Sequence, residues 1–228
     1  MSESPMHGFR GDAVVPPPRP KGLTVCITRE AGGRGEDIAD TVGQRLGWQV
    51  YSRESLDHLV RDAEGRKELL ADLAPDVVAW VDSRMQSLLQ RSKLAANTSA
   101  TETARLLYTI AARGEAVIVG RGAGFILPAE TTLHVQIVAP QADRVAYLAD
   151  WLRSTPDEAK VEVTARDVAR IKFLKLFTDG DPDSPLGYDI VLNSARLGVE
   201  ACATLIETAV RERHNDPSSY EFELPEMA

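Results

Sequence analysis

The sequence predicts an α/β domain with a mainly parallel, five-stranded sheet covered by helices on both faces. Short apolar runs alternate with helical patterns between residues 23 and about 210, which is the order that builds strand–helix–strand crossovers. At 228 residues the chain is long enough for one such domain with a real core. Its 43% apolar and 26% charged content is ordinary for a globular protein.

Taken in order, residues 1–21 are polar and Pro-rich, include "PPPRP", and read as a flexible tail of polyproline character. "LTVCIT" (23–28) is a buried strand, and "GEDIADTVGQRLG" is a helix with Ile38, Val42 and Leu46 at helical spacing and Gly47 as its stop. "WQVY" (48–51) is the second strand. Residues 53–113 are helical almost throughout, with breaks near Gly65, Pro75 and "AANTSATE", where Thr98 or Ser99 offers an N-cap. "AVIVG" (116–120) and "LHVQIVA" (133–139) are strands three and four. "PQADRVAYLADWLR" is a helix with proline at its start, and 157–178 form a long basic amphipathic helix. "YDIVLN" (188–193) is the last strand and "GVEACATLIETAVRER" the closing helix. The folded part is therefore expected over 22–214, and the acidic, proline-broken residues 215–228 read as a second tail.

Composition excludes several classes of function. A net charge of −8 argues against binding long nucleic acid, yet a local arginine cluster for a small phosphorylated substrate remains compatible with it. No window is long and apolar enough for a membrane span, and the N-terminus lacks the pattern of a signal peptide. Cys26 and Cys202 fall in a buried strand and helix, as free thiols of a cytoplasmic protein would. The four histidines are scattered, so no zinc site is expected.

Ligands of open α/β sheets bind beyond the carboxyl ends of the strands. That rule directs attention to residues 28–37, 51–54, 120–124 and 139–144, and to Asn193 and the residues just after it. After the first strand comes Arg29-Glu30-Ala31-Gly32-Gly33-Arg34-Gly35-Glu36-Asp37. Its glycines can turn backbone N–H groups inward as an anion nest, backed by the positive end of the next helix. The full phosphate-loop pattern G-x-x-x-x-G-K-[ST] would need lysine at 36, and only Gly35 fits. The loop also reads as a plain glycine turn whose Glu36 and Asp37 complement the helix dipole. After the third strand, Gly120-Arg121-Gly122-Ala123-Gly124 lacks the downstream acidic residue of a dinucleotide fingerprint. Arg121 there suits a phosphate, or else pairs with a neighbouring carboxylate. The late helix carries Arg166, Arg170, Lys172 and Lys175, either as a solvated face or as a lid.

Three stretches together, "ITREAGGRGEDIADTVGQRLGWQVYSRESL", "AVIVGRGAGFIL" and "ARDVARIKFLKLF…YDIVLNSARLGVEACATLI", resemble the cytidylate kinase-like family, a branch of the P-loop nucleoside monophosphate kinases. The resemblance spans 23 to about 210 and implies a three-layer P-loop kinase fold. It also implies Mg²⁺-dependent transfer of a phosphoryl group from ATP to a nucleoside monophosphate such as CMP or dCMP. Carried over by position, Gly32, Gly33, Arg34, Gly35, Glu36 and Asp37 would cradle the ATP phosphates, with Asp37 at the metal. Arg53 and Arg121 would hold the acceptor phosphate. Arg166 and Arg170, with Arg34, would neutralise charge in the transition state. The helices of 53–113 would form the acceptor-binding insert, and about 150–178 the lid. Two departures stand out: Glu36 occupies a place usually basic, and Ser52 one usually aspartate. A carboxylate 4 Å from a phosphate charge costs about 4 kcal/mol at a surface-like dielectric. Glu36 must therefore point away, pair with Arg34 or Arg29, or join Asp37 at a metal. The resemblance leaves open a catalytically degenerate relative that senses nucleotide or binds a partner, and it leaves the oligomeric state open.

Overall fold

The computed structural model describes residues 22–71, 73–92 and 97–215. The tail expected at 1–21, and all but the first residue of the one expected at 215–228, lie outside these. Strands β1 (Thr24–Arg29), β2 (Gln49–Tyr51), β3 (Ala116–Val119), β4 (Thr132–Val138) and β5 (Ile190–Asn193) form one sheet, all parallel, in the order β2-β3-β1-β4-β5. Helices α1 (Gly35–Leu46), α2 (Arg53–Arg61), α3 (Ala63–Ala71), α4 (Pro75–Arg91) and α5 (Thr98–Arg113) precede β3. Then come α6 (Ala123–Ile126), α7 (Gln141–Leu152), α8 (Pro156–Leu174) and α9 (Ser194–Asn215).

Strand alternation assigns the two faces of the sheet. Val25, Ile27, Val117, Val119, Val135 and Ile137 pack together with Ile38 and Val42 of α1 and Cys202, Ile206 and Val210 of α9. Their neighbours Cys26, Ala116 and Ile118 turn the other way, against Leu106, Leu107 and Ile110 of α5 and Leu56 of α2. Behind α5, the buried Trp80 ring meets Tyr108 edge-on at 5.8 Å, and the Tyr108 hydroxyl donates to the Ile126 carbonyl at 2.8 Å. The result is the three-layer α/β arrangement expected from the alternating pattern. Both cysteines are free and buried, as their apolar contexts required.

Several boundaries differ from the sequence expectation, each for a local reason. Gly65 does not break the insert. It lies inside α3, and the break falls at Asp62, whose carboxylate accepts from Gly65 N at 3.1 Å. A single glycine costs a helix only about 1 kcal/mol, less than a cap returns with packing. The cap of α5 is Asn97, accepting from Ala100 N at 3.0 Å, rather than Thr98 or Ser99. Pro140 is the N-cap residue of α7 instead of its first helical one. The basic helix ends at Leu174, not 178, and starts at Pro156, capped by Thr155 in a reciprocal capping box with Glu158. Gly47 stops α1 in a left-handed conformation, φ 71°, as anticipated.

Candidate functional site

The loops leaving β1 and β3 and the start of α2 converge, with α7 and α8, on one cavity of about 490 Å³. Its first wall is the β1–α1 turn. Gly33 N donates to the Glu30 carbonyl at 3.0 Å, and both Gly32 (φ 78°) and Arg34 (φ 60°) are left-handed. Gly32 has no substitute here: a side chain would run into the backbone carbonyl of Arg144 as well as adopt a strained φ. Arg34 and Arg121 (φ 55°) are non-glycine residues held in the left-handed region, and both line the cavity. Such strain costs on the order of 1 kcal/mol and concentrates at functional sites. Arg34 is the N-cap residue of α1 but makes no side-chain cap, so the positive end of α1 opens into the cavity. The turn is braced from behind by Ser194, whose hydroxyl donates to the Gly33 carbonyl at 2.8 Å.

Charges around the turn are paired in a specific way. Glu36, the unexpected acid, takes Arg29 at 2.6 Å. Asp37 accepts from Arg34 Nε at 3.3 Å and from the Tyr147 hydroxyl at 3.2 Å. The Arg34 guanidinium also lies over the Tyr147 ring, 5.3 Å from its centroid. Burial, and next the Asp37 carboxylate, push the Tyr147 phenol above its usual range, which keeps it a neutral donor.

Arg53, the first residue of α2, and Arg121 form the second wall. Arg121 is ion-paired with Asp57 of α2 and lies over Phe173, yet its buried Nε has no partner among the described residues. The third wall is α8. Arg166 stands toward the rim, donating to Glu162 at 2.6 Å one turn back. Arg170 donates to Asp183 at 2.8 Å, while its buried Nε and Nη1 lack a hydrogen-bond partner among the described residues. Buried guanidinium N–H groups are costly to leave unmet. Four arginines, Arg53, Arg121, Arg166 and Arg170, line one cavity, and Arg170 Nε also lies 3.9 Å from Asp167.

A buried network ties these walls together. The Arg144 side chain, 9% exposed, donates from Nη1 to Asp167 at 2.6 Å and to the Ala31 carbonyl at 3.2 Å. Its Nε donates to the Ala139 carbonyl at 3.0 Å and lies 3.4 Å from Glu30. Asp167 returns to the turn, accepting from Ala31 N at 2.9 Å, and Glu30 accepts from Ala139 N at 3.0 Å. The peptide unit at Ala31 is thus held on both sides by a pair that bridges α7 and α8.

The residues carried over from the family resemblance line this cavity, Gly32 to Asp37 on one wall, Arg53 and Arg121 on another, Arg166 and Arg170 on the third, whereas Lys172 and Lys175 of the same helix and Asn193 do not. Arg144 lay inside the stretch flagged after the fourth strand, but nothing in its spacing indicated a partner 23 residues away. Tyr147 and Asp57 carried no signal at all, since each is one polar residue on an amphipathic helix. Among the described residues no three His, Cys, Asp or Glu side chains gather as metal ligands, and no helix is long and apolar enough to cross a membrane.

A cytidylate kinase of Halobacterium salinarum is 27% identical over 203 residues, covering 87% of this chain and 97% of that protein. The crystal structure of an uncharacterised protein from Eubacterium ventriosum aligns with a TM-score of 0.68 at 17% identity, over 85% of this chain and 100% of that one, and so shares its fold. A shikimate kinase from Bacteroides thetaiotaomicron aligns at a TM-score of 0.49 and 12% identity, over 83% and 98% of the two chains. The model of the cytidylate kinase-like family matches residues 24–196, from the first residue of β1 into the start of α9. That match takes in both glycine turns and the arginine-bearing face of α8, together with the sheet that brings them to one cavity. With its parallel five-stranded α/β fold, the chain belongs to the cytidylate kinase-like family.

Proposed function

We propose that the protein is an ATP-dependent nucleoside monophosphate kinase, transferring the γ-phosphoryl group to CMP, dCMP or a similar acceptor. One observation carries this reading: the glycine turn and the first turn of α1 line the same cavity as four arginines, Arg53, Arg121, Arg166 and Arg170. Family membership and the name of the Halobacterium salinarum relative support it. Residues 53–113 (α2–α5) would be the acceptor-binding insert and about 150–178 the lid.

The donor phosphates would sit at the β1–α1 turn, whose glycines line the cavity and where the dipole of α1 favours negative charge. Arg53 and Arg121 would hold the acceptor phosphate on the opposite wall, positioned by α2 and by the turn after β3. An oxygen of that phosphate forms the new bond to the γ-phosphorus as the bond to the β-phosphate oxygen breaks, and the electron pair leaves with ADP. Phosphoryl transfer of this kind needs alignment and positive charge more than covalent chemistry. Arg166 and Arg170 on α8, with Arg34, supply that charge. Asp37 would hold Mg²⁺ jointly with the phosphates, since this ion is commonly bound by one carboxylate plus substrate oxygens; it neutralises charge between them. Tyr147, kept neutral, orients Asp37 through its hydroxyl.

A second reading, a relative that binds nucleotide without transfer, is favoured by the acids at the turn: Asp167 occupies Ala31 N and Glu36 sits on the first turn of α1. The two are separated by incubating the pure protein with Mg-ATP and CMP, dCMP, UMP or AMP and following ADP. Acceptor-dependent ADP formation is expected. No ADP with any acceptor, from folded protein that ATP still stabilises against heat, would replace the kinase reading with the non-catalytic one.

A further inference from the structure

The β1–α1 turn lacks the lysine that a phosphate loop normally sets at its end, and the structure assigns its replacement. We infer that Arg29, from the last position of β1, is the cation that bridges the donor and acceptor phosphates, with Glu36 as its counter-ion when no phosphate is present. The inference rests on the kinase reading above.

The path of the side chain carries the assignment. The Arg29 stem crosses the first turn of α1 directly over Gly35: a Cβ at Gly35 would stand 2.7 Å from Arg29 Cβ and 2.8 Å from its Cγ. Its tip arrives at the turn after β3, where a Cβ at Gly120 would stand 2.7 Å from Arg29 Nη1. Two glycines, distant in sequence, thus leave open a channel that one guanidinium fills. That guanidinium links the donor turn to the residue immediately before Arg121, the acceptor-side arginine. Arg34, the other basic residue of the turn, leaves on the opposite side, toward Asp37 and the Tyr147 ring, and makes no such approach to Gly120.

The partner at hand makes the exchange feasible. Glu36 meets Arg29 at 2.6 Å with a side chain 47% exposed, so the pair is weakly held and the carboxylate can return to water. A guanidinium fork accepts a phosphate in place of a carboxylate with the same bidentate geometry and a larger opposing charge. In the transfer step Arg29 donates N–H bonds to the oxygens on either side of the moving phosphorus and neither gains nor loses a proton. Glu36 is then a gate on the cation, which explains how an acid is tolerated at this place in the turn.

The test compares Arg29→Met, which keeps the stem and removes the charge, with Arg29→Lys, which keeps both stem and charge, and with Glu36→Gln. For each, kcat and KM with ATP and the acceptor, the ATP Kd by calorimetry and the thermal midpoint are measured. Arg29→Met is expected to lose about 100-fold or more in kcat and roughly tenfold in ATP affinity, with Arg29→Lys recovering most of the affinity. Glu36→Gln is expected to bind ATP severalfold more tightly. Equal activity of the Met and Lys variants, or kcat of Arg29→Met within threefold of the parent, overturns the inference and leaves the kinase reading standing. If the parent itself transfers nothing, the kinase reading fails, and an ATP Kd unchanged in Arg29→Met then overturns the role of Arg29 as well.

Discussion

At the scale of a residue, His134 shows how a polar group is made into core. It lies in the middle of β4, its Nε2 3.0 Å from the Thr28 hydroxyl, and its ring is flanked by Phe125 at 4.9 Å and Tyr188 at 4.4 Å. Gly124 is required beneath it, because any side chain there would enter the imidazole. Burial holds the ring neutral and lowers its pKa from 6.5 to about 4, against the opposing pull of Asp189, whose carboxylate accepts from His134 N at 2.7 Å. The unfolded chain takes up a proton below pH 6.5 and the folded one does not until about pH 4. The stability contributed by the neutral ring is thus complete above pH 6.5 and is lost as pH falls toward 4, by roughly 3 kcal/mol. Denaturant unfolding of the parent and of His134→Gln between about pH 4 and pH 7 reads this directly. The variant should lack that part of the slope, and parallel curves would contradict the assignment. The sequence presented His134 as one of four scattered histidines. Its neutrality comes from neighbours on β1, α6 and the approach to β5 that no spacing reveals.

At the scale of an element, α8 is the instructive case, because one helix carries Arg166, Asp167 and Arg170 to the cavity. Its start is set locally by Thr155 and Glu158 with Pro156 at the first helical position, a pattern written plainly in "STPDEAK". Thr155→Ala removes the cap and should cost about 1 kcal/mol, seen as faster hydrogen exchange in the first turns of α8 with the rest of the fold unaffected. Exchange unchanged in α8 would show that packing on α7, through Val163 and Leu148, holds the helix without its cap. The charge pattern alone did not mark the face of α8 that matters, although the family resemblance pointed to Arg166 and Arg170. Its charges read equally as a solvated stripe, and the structure divides them: Arg166 pairs along the helix with Glu162, whereas Asp167 turns inward to Arg144.

At the scale of the whole molecule, Arg144 joins elements distant in sequence. It connects the β1 turn through Ala31 and Glu30, the end of β4 through Ala139, and α8 through Asp167. Removing one member of such a buried network leaves its partners charged and unmet. Arg144→Met should therefore destabilise the fold by about 3 kcal/mol, measured by urea unfolding. It should also weaken ATP binding, since Ala31 loses its anchor. A variant as stable as the parent would mean that Glu30 and Asp167 relax into water.

The order of strands and helices, the buried thiols, and the two glycine turns at strand ends were readable from residue pattern alone. Hydrophobic periodicity and glycine placement are local properties, and a parallel sheet brings its strand ends to one edge whatever the loops contain. The pairing of charges was readable only in part. Arg29 was one of two partners the sequence offered Glu36, while Arg121 with Asp57 and Arg144 with Asp167 are each one choice among many opposite charges in an acidic chain. The choice is made by which side chains the packed helices bring within hydrogen-bond reach. Glu36 is the clearest instance: the sequence marks it as a misplaced acid, and packing turns it into the partner of an arginine that passes between Gly35 and Gly120.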